Sequence, residues 1–316
     1  MNTKNLVLKL AVSIGAFILI AYLVDLGKVA EIIVKFSPFY IVLFFIVFAI
    51  AMMLGAVNIR VLLAPLKIFV PVKKLVKYSF LTYSLSSITP GRLGELAMIY
   101  FLKKERVRIP EGSGVFLTDK AISVAAVGLV GAAGLFKLFG MTIAIEFLLI
   151  MLIPIILFIF LMFSKNLRNF FAGIIPSKHL DSVKRLYSVL KMYITKHKKA
   201  AAVNFLITIL KLMGSNFCIF IIFYALYPKI GFVDVFLISS IISAITMLPV
   251  TISGLGLREV SAVFFYGLIG VPAEITLAVH LIYLALRYVI VAASLMFLEK
   301  SDFTYLASAI KFPMAR

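Results

Sequence analysis

Two short motifs place charged and helix-breaking residues inside stretches that are otherwise apolar. The first occupies 90–95 within the apolar stretch 75–102, and the second occupies 253–259 within 233–270. Charge buried in lipid is costly and usually marks a functional site. Broken apolar segments in corresponding positions of two halves indicate a transport site. We therefore expect the two motifs to form one binding site inside a membrane.

Each motif combines an arginine and a glutamate with residues that favour turns. Arg92 and Glu95 are three residues apart, so they share a face if this segment is helical. A helix N-terminus offers free N–H groups, and arginine adds a planar fork suited to phosphate. The expected ligand is a lipid phosphodiester; in the alternative, each Arg–Glu pair only clamps its turn. The second pair and the turn residues are Arg258 and Glu259, with Pro90, Gly91, Gly94, Ser253, Gly254 and Gly256.

Other charged residues also fall at membrane depth. Asp119 and Lys120 are adjacent, so they point to different faces of a helix and need separate partners. Arg287 lies in the middle of its apolar stretch and needs a carboxylate, for which Glu95, Asp119 and Glu259 are available. Asp119, Lys120 and Arg287 complete the predicted translocation site.

Two more polar residues lie inside apolar stretches, and no enzyme signature accompanies them. Lys211 lies well inside an apolar stretch and could pair with any of the carboxylates, whereas His280 is expected to be neutral and buried, with a proton relay as the alternative. No phosphate-binding loop, nucleophile triad or metal triad is recognisable, and the lone Cys218 excludes a disulfide framework. We therefore expect no metal, no cofactor and no ATPase activity.

The composition indicates a membrane protein that crosses the bilayer several times. The 316 residues are 63% hydrophobic with a mean hydropathy of +1.14, whereas soluble domains are nearer half apolar. The net charge of +19 comes from Lys and Arg in short loops, which favours orientation by the positive-inside rule over nucleic-acid binding. The first apolar run lacks a cleavage pattern, so it is interpreted as a retained span.

Charge also predicts the topology. If each interrupted stretch is a re-entrant hairpin, 23 of the 32 Lys and Arg residues lie inside and only four lie outside. Both termini are then cytoplasmic. A full crossing by 75–102 would instead place a basic cluster outside. The complete spans are predicted at about 6–24, 38–57, 114–136, 141–163, 200–226 and 274–298.

The same topology predicts one all-α transmembrane domain over 1–316 that contains two inverted repeats. Repeat one covers about 38–136 and repeat two about 200–298, and their hairpin tips approach the midplane from opposite faces to line a cavity. The linker 164–199 is predicted to be an amphipathic helix on the cytoplasmic membrane surface, with a solvated linker helix as the alternative. Its apolar residues recur at helical spacing as Leu180, Val183, Tyr187, Leu190 and Ile194.

The spacing of these motifs resembles the lysylphosphatidylglycerol synthase transmembrane region family, also called flippase-like domain proteins. This family includes the membrane half of the bacterial multiple peptide resistance factor, and the resemblance covers about 5–300. Its signatures match Pro90, Arg92, Gly94, Glu95, Gly254, Gly256, Glu259 and Arg287. Some positions differ: Asp119-Lys120 replaces the more usual Glu-Arg, Ser86 or Ser87 replaces an Asn, Met98 replaces a basic residue, and Ile252-Ser253 replaces Pro-Gly.

The residues and the resemblance together imply translocation of a phospholipid or another lipid-linked headgroup between the leaflets of a cell membrane. The soluble aminoacyl-transfer domain of the fused family members is absent, so synthase activity is not expected. The implied partners are membrane lipids with a phosphate-containing headgroup, and a lipid-synthesising enzyme is a further candidate. Two alternatives remain: an intramembrane lipid-modifying enzyme and a secondary transporter of a small anion.

Overall fold

The fold is all-α, as predicted. A computed structural model describes residues 24–163, 177–247 and 254–299 together with positions 15, 22, 251 and 302, and it describes no side chain at 90–92, 158–159, 161–163 or 177–179. This part of the chain contains no β-strand. Its eleven α-helices are α1 Leu26–Val34, α2 Pro38–Leu63, α3 Val72–Ile88, α4 Ala97–Lys104, α5 Ile109–Phe139, α6 Met141–Phe163, α7 Ser177–Thr195, α8 Lys198–Leu226, α9 Phe232–Ile245, α10 Leu257–Gly267 and α11 Ala273–Leu295.

Four helices are long and apolar enough to cross a membrane, which confirms the polytopic class. They are α2 with its following 3-10 turn, α5, α8 and α11, and they extend the predicted spans by a few residues at most ends. The predicted span 141–163 coincides with α6, whose described apolar run is shorter. The predicted first span, 6–24, falls almost entirely outside the described residues. The short helix α1 has no counterpart among the predicted elements.

Local sequence determines where these helices begin and end. Proline occupies the first turn of α2 and of α5, where its missing N–H is not needed for a helical hydrogen bond. Gly140 ends α5 with a φ of +87°, a conformation that glycine adopts at no steric cost. The carboxylate of Asp25 caps α1 by accepting hydrogen bonds from the backbone N–H groups of Gly27 and Lys28.

The first interrupted stretch is a helical hairpin. The chain runs up α3, turns through the 3-10 helix Pro90–Leu96 and returns along α4. At the open end Lys74 Nζ lies 2.8 Å from Glu105 Oε2, and the rings of Tyr78 and Phe101 stack 4.9 Å apart. At the tip a Cβ on Gly94 would lie 2.2 Å from the backbone carbon of Leu85, so this close return requires glycine.

The second interrupted stretch also reverses direction, between α9 and α10. Its open end is joined by a hydrogen bond of 2.7 Å between Ser239 Oγ and the Tyr266 hydroxyl. At its tip Gly254 and Gly256 have φ values of +80° and +79°. Only glycine adopts this backbone conformation without strain.

The two hairpins open toward opposite ends of α11. Lys77 at the open end of the first hairpin lies 2.7 Å from Glu299, which follows the C-terminal end of α11. In the N-terminal half of α11, the ring of His280 lies 6.2 Å from that of Tyr266 in the second hairpin. Residues near both tips contact the middle of α11. The depth of the hairpins in a bilayer, the inverted-repeat relation and the proposed domain limits stay predictions.

The amphipathic helix α7 is docked onto the helical bundle. Val189 lies so close to α5 that a Cβ on Gly114 would come within 2.5 Å of its Cγ1. The Tyr193 hydroxyl donates a hydrogen bond to the backbone oxygen of Leu62. Of the predicted apolar face, Leu190 is buried and Ile194 is 41% exposed, and Val189 and Tyr193 are buried beside Leu190. The predicted residues 164–176 lie outside the described part.

Candidate functional site

A cavity of about 620 Å³ lies where the two hairpin tips meet the middle of the bundle. Side chains from α2, α3, α5, α8 and α11 form its walls, and both hairpins contribute to it. Five of the seven predicted site residues line it, namely Glu95, Asp119, Lys120, Arg258 and Arg287. Residues that are far apart in the sequence therefore share one interior space.

Glu95 and Lys120 link the first tip to α5. Lys120 Nζ lies 2.7 Å from Glu95 Oε2, and the two side chains are 37% and 24% exposed. Lys120 Nζ is also 5.5 Å from the centre of the Phe116 ring. A pair that is open on one side can exchange its partner for a ligand at lower cost than a fully buried pair.

Arg287 contacts a hydroxyl group and an aromatic ring. The prediction that it pairs with a carboxylate is therefore wrong. Its Nε and Nη2 lie 3.2 and 2.9 Å from Ser87 Oγ, and its guanidinium lies 5.7 Å from the ring centre of Tyr83. Among the described residues no carboxylate oxygen lies within 4 Å of it. One hydroxyl satisfies only part of the five N–H donors of a guanidinium. Arg287 thus keeps binding capacity toward the cavity.

The arginine and the glutamate of the second motif have different structural roles. Glu259 is 1% exposed, and its Oε2 accepts a hydrogen bond of 2.7 Å from the backbone N–H of Gly256. It therefore caps the start of α10 and does not line the cavity. Arg258 does line the cavity, 5.7 Å from the ring centre of Tyr283, and forms no ion pair with any described carboxylate.

Asp119 belongs to a buried polar cluster that sequence reasoning missed. Asn58 Nδ2 donates to Asp119 Oδ1 at 3.0 Å and to Thr208 Oγ1 at 2.8 Å, and Asn204 Nδ2 lies 3.3 Å from the same carboxylate oxygen. The four residues come from α2, α5 and α8. Single polar residues in three long apolar stretches were the only available signal.

The predicted turn residues are partly described. The backbone of Pro90, Gly91 and Gly94 forms the 3-10 turn of the first tip, and Gly94 N–H donates to Thr89 Oγ1 at 2.7 Å. The side chain of Arg92, which was predicted to bind phosphate, lies outside the described part, as does Ser253.

The cavity lining is cationic. Four basic side chains reach it, from Lys120, Lys211, Arg258 and Arg287, against the two carboxylates of Glu95 and Asp119. Lys211, for which a carboxylate partner was one option, forms no ion pair within the described residues. Hydroxyl groups dominate the wall formed by α3, and they belong to Ser79, Thr82, Tyr83, Ser86 and Ser87. Their helical spacing within an apolar stretch is a sequence signal that could have identified this wall.

The fold and the cavity together define a polytopic α-helical membrane protein with a cationic interior site. Residues 6–294 match the family described as "Lysylphosphatidylglycerol synthase TM region", and because the match covers most of the chain, the protein belongs to this family. Membership associates the chain with membrane lipids. No curated protein shows significant sequence similarity to it.

Proposed function

We propose that this protein moves an anionic phospholipid or another lipid-linked anionic headgroup between the leaflets of the cell membrane. The observation that carries the proposal is the pair Arg258 and Arg287. Both line one cavity at the meeting point of the two hairpins, and neither forms an ion pair with a described carboxylate. An anionic headgroup would supply the missing countercharge.

Phosphate suits this pair for chemical reasons. A guanidinium can donate two parallel hydrogen bonds to phosphate oxygens, and these charge-assisted bonds are stronger than neutral ones. His280 also lines the cavity; it is 1% exposed, and its ring nitrogens have no hydrogen-bond partner among the described residues. Buried polar groups normally find a partner, so an unsatisfied imidazole that lines the same cavity as two guanidiniums favours a polar ligand.

The cavity accommodates a headgroup, and the acyl chains are proposed to remain in the bilayer. Its volume of about 620 Å³ lies in the usual range of small-molecule sites. No ATPase signature accompanies it, so we propose that movement is downhill or coupled to an ion gradient.

The positions of the carboxylates favour a transporter over a lipid-modifying enzyme. An acid–base pair would need carboxyl groups that are free to exchange protons with the substrate. Here Glu95 is paired with Lys120, Asp119 accepts from two amides, and Glu259 caps a helix. We therefore propose no catalytic role for these carboxylates. The proposed ligand is a membrane lipid, and a lipid-synthesising enzyme is a candidate partner that would supply this lipid.

The test is lipid translocation in proteoliposomes that contain fluorescently labelled phosphatidylglycerol. We expect Arg258→Ala and Arg287→Ala each to slow translocation at least about tenfold, since one lost charge-assisted contact is worth ~1.5–3 kcal/mol. Arg185→Ala is the matched control, because Arg185 is an arginine on α7 outside the cavity, 3.8 Å from Glu111. Unchanged rates in both cavity variants would remove the arginine pair from the mechanism.

The conservative variants test whether the two arginines bind one headgroup. Lysine cannot reproduce a bidentate contact. We expect Arg258→Lys and Arg287→Lys to weaken phosphatidylglycerol binding non-additively, with a coupling energy of ~0.5–3 kcal/mol in a double-mutant cycle. Chemical conversion of the labelled lipid would support the enzyme alternative, and uptake of a soluble anion would support the small-anion transporter.

A further inference from the structure

Asp119 is a buried carboxylate in a membrane-spanning helix, and no described cation neutralises it. Its side chain is 5% exposed, and no basic group among the described residues lies within 4 Å of its oxygens. Lys120, its neighbour in sequence, pairs with Glu95 instead. Carboxylates that are buried away from water are normally paired with a cation or coordinate a metal ion. The two neutral amides that contact Asp119 therefore leave it without a described cation in direct contact.

The amides around Asp119 carry a second unsatisfied feature. Asn58 and Asn204 are fully buried, and each directs its NH₂ group to Asp119 Oδ1. Their Oδ1 atoms are buried and have no hydrogen-bond partner among the described residues. Burying these two amide oxygens beside a carboxylate that contacts no described cation costs free energy, because an unsatisfied buried acceptor loses its full solvation.

A half-turn of each amide would direct its oxygen toward Asp119 and so offer oxygen ligands to a cation bound there. The turn exchanges the NH₂ group and the oxygen, so Asn58 Oδ1 and Asn204 Oδ1 would take the positions next to Asp119. Thr208 Oγ1 lies 2.8 Å from the Asn58 amide, and the backbone oxygen of Asn58 lies 3.3 Å from the Asn204 amide. Five oxygen atoms with one negative charge would then lie next to one another.

We propose that Asn58, Asp119, Asn204 and Thr208 form a binding site for a single Na⁺ ion. Hard oxygen ligands suit an alkali or alkaline-earth cation over a transition metal. Only one carboxylate is present, which favours a monovalent ion, because Ca²⁺ and Mg²⁺ sites usually draw on more charge or retained water. The cluster atoms contact each other at 2.8–3.3 Å, so a small ion such as Na⁺ would displace these side chains less than a larger ion would.

The site joins three helices at the edge of the cationic cavity. Asn58 lies on α2, Asp119 on α5, and Asn204 and Thr208 on α8, and both Asp119 and Thr208 also line the cavity. Na⁺ binding would draw these helices together and change the charge next to the headgroup. Its use as the coupling ion rests on the proposed function, whereas Na⁺ binding itself does not.

The test is Na⁺ binding to the purified full-length chain. Thermal unfolding in NaCl is compared with KCl and with N-methyl-D-glucamine chloride at equal ionic strength, and binding of ²²Na⁺ is measured directly. We expect a saturable rise in Tm that is specific for NaCl, because an ion that binds only the folded state stabilises it by mass action. Asp119→Asn should abolish the response, and Thr208→Val should weaken the apparent Na⁺ affinity about tenfold.

Thr118→Val is the matched control. Thr118 precedes Asp119 on α5, and its hydroxyl donates to the backbone oxygen of Gly114 within the same helix. This variant should keep the Na⁺ response, and if Asp119→Asn fails to fold, Thr208→Val still tests the site. An equal response of the wild type to all three salts would overturn the proposal. Na⁺ binding without lipid movement would contradict only the proposed function.

Discussion

The two hairpin tips contain the same residue types, but the structure uses their glutamates differently. Glu95 pairs with Lys120 on a different helix and faces the cavity. Glu259 turns back onto its own tip and accepts from the Gly256 N–H. The difference follows from position, because Glu259 is the third residue of α10, where a carboxylate reaches the helix start, whereas Glu95 precedes α4. One motif thus supplies a cavity charge, and the other supplies a structural cap.

The open ends of the hairpins differ as well. An ion pair from Lys74 to Glu105 joins the two helices of the first one, and ion pairs from Lys77 and Lys104 to Glu299 connect it to the end of α11. The second one is closed by the buried hydrogen bond between Ser239 and Tyr266. Exposed ion pairs respond to salt and pH, whereas a buried hydroxyl contact does not. The first hairpin is therefore the one that solution conditions should affect.

The largest expected effect concerns the side of the membrane to which each hairpin opens. A cysteine at position 104, at the open end of the first hairpin, should react with a membrane-impermeant thiol reagent only from the cytoplasm. A cysteine at position 229, just before α9, should react only from outside. The physical reason is the predicted excess of basic residues on the cytoplasmic side.

The native chain provides the background for this labelling experiment. Its single cysteine, Cys218, is buried, so the wild type should remain almost unlabelled. Labelling of position 104 from outside would exclude the re-entrant topology of the first hairpin. Labelling of both positions from one side would exclude the inverted arrangement of the pair.

The next largest expected effect is a difference in stability between variants of the two glutamates. Glu259→Ala removes the acceptor for a buried N–H and should lower the free energy of unfolding by ~1–3 kcal/mol. Glu95→Ala removes a partly exposed ion pair and should cost only ~0–1 kcal/mol while slowing lipid translocation more. Because the chain has no tryptophan, unfolding is followed by circular dichroism during denaturation of the purified protein. Equal stability losses in the two variants would show that both glutamates have the same role.

Much of the fold and part of the site could be predicted from the sequence. Long apolar stretches determine which segments span the membrane, so the predicted limits of four spans came close to the observed limits of α2, α5, α8 and α11. Charge in such stretches is so costly that Glu95, Asp119, Lys120, Arg258 and Arg287 were recognisable as site residues without any structure. The structure then places all five around one cavity.

The partners of these charges could not be predicted. Arg287 binds Ser87, which is 200 residues away, and Asn58 binds Thr208, which is 150 residues away. Such pairs depend on how helices pack, whereas sequence spacing constrains only neighbours on one helix. The same limit applies to α7, where the contacts of Val189 with α5 and of Tyr193 with α2 were not predicted.

The smallest expected effect separates the hairpins by their response to acid. Hydrogen bonds from Lys77 and then Lys104 lower the pKa of Glu299 to about 2. Since the folded value lies below the ordinary value, the stabilising contribution of Glu299 is complete above about pH 4.5 and is lost as the pH falls through about 2. Amide hydrogen exchange in α4 should therefore accelerate between these values, whereas exchange in α9 should follow only the intrinsic pH dependence.

A substitution isolates Glu299 from the other groups that titrate in acid. Glu299→Gln at neutral pH should reproduce the faster exchange of α4, and Glu274→Gln, at the opposite end of α11, should not. The effect stays small because Asp302, whose side chain is buried, holds Lys104 at 2.6 Å when Glu299 is neutral. If acid accelerated exchange equally in α4 and α9, or if Glu299→Gln left α4 unchanged, the ion pairs would not be what closes the first hairpin.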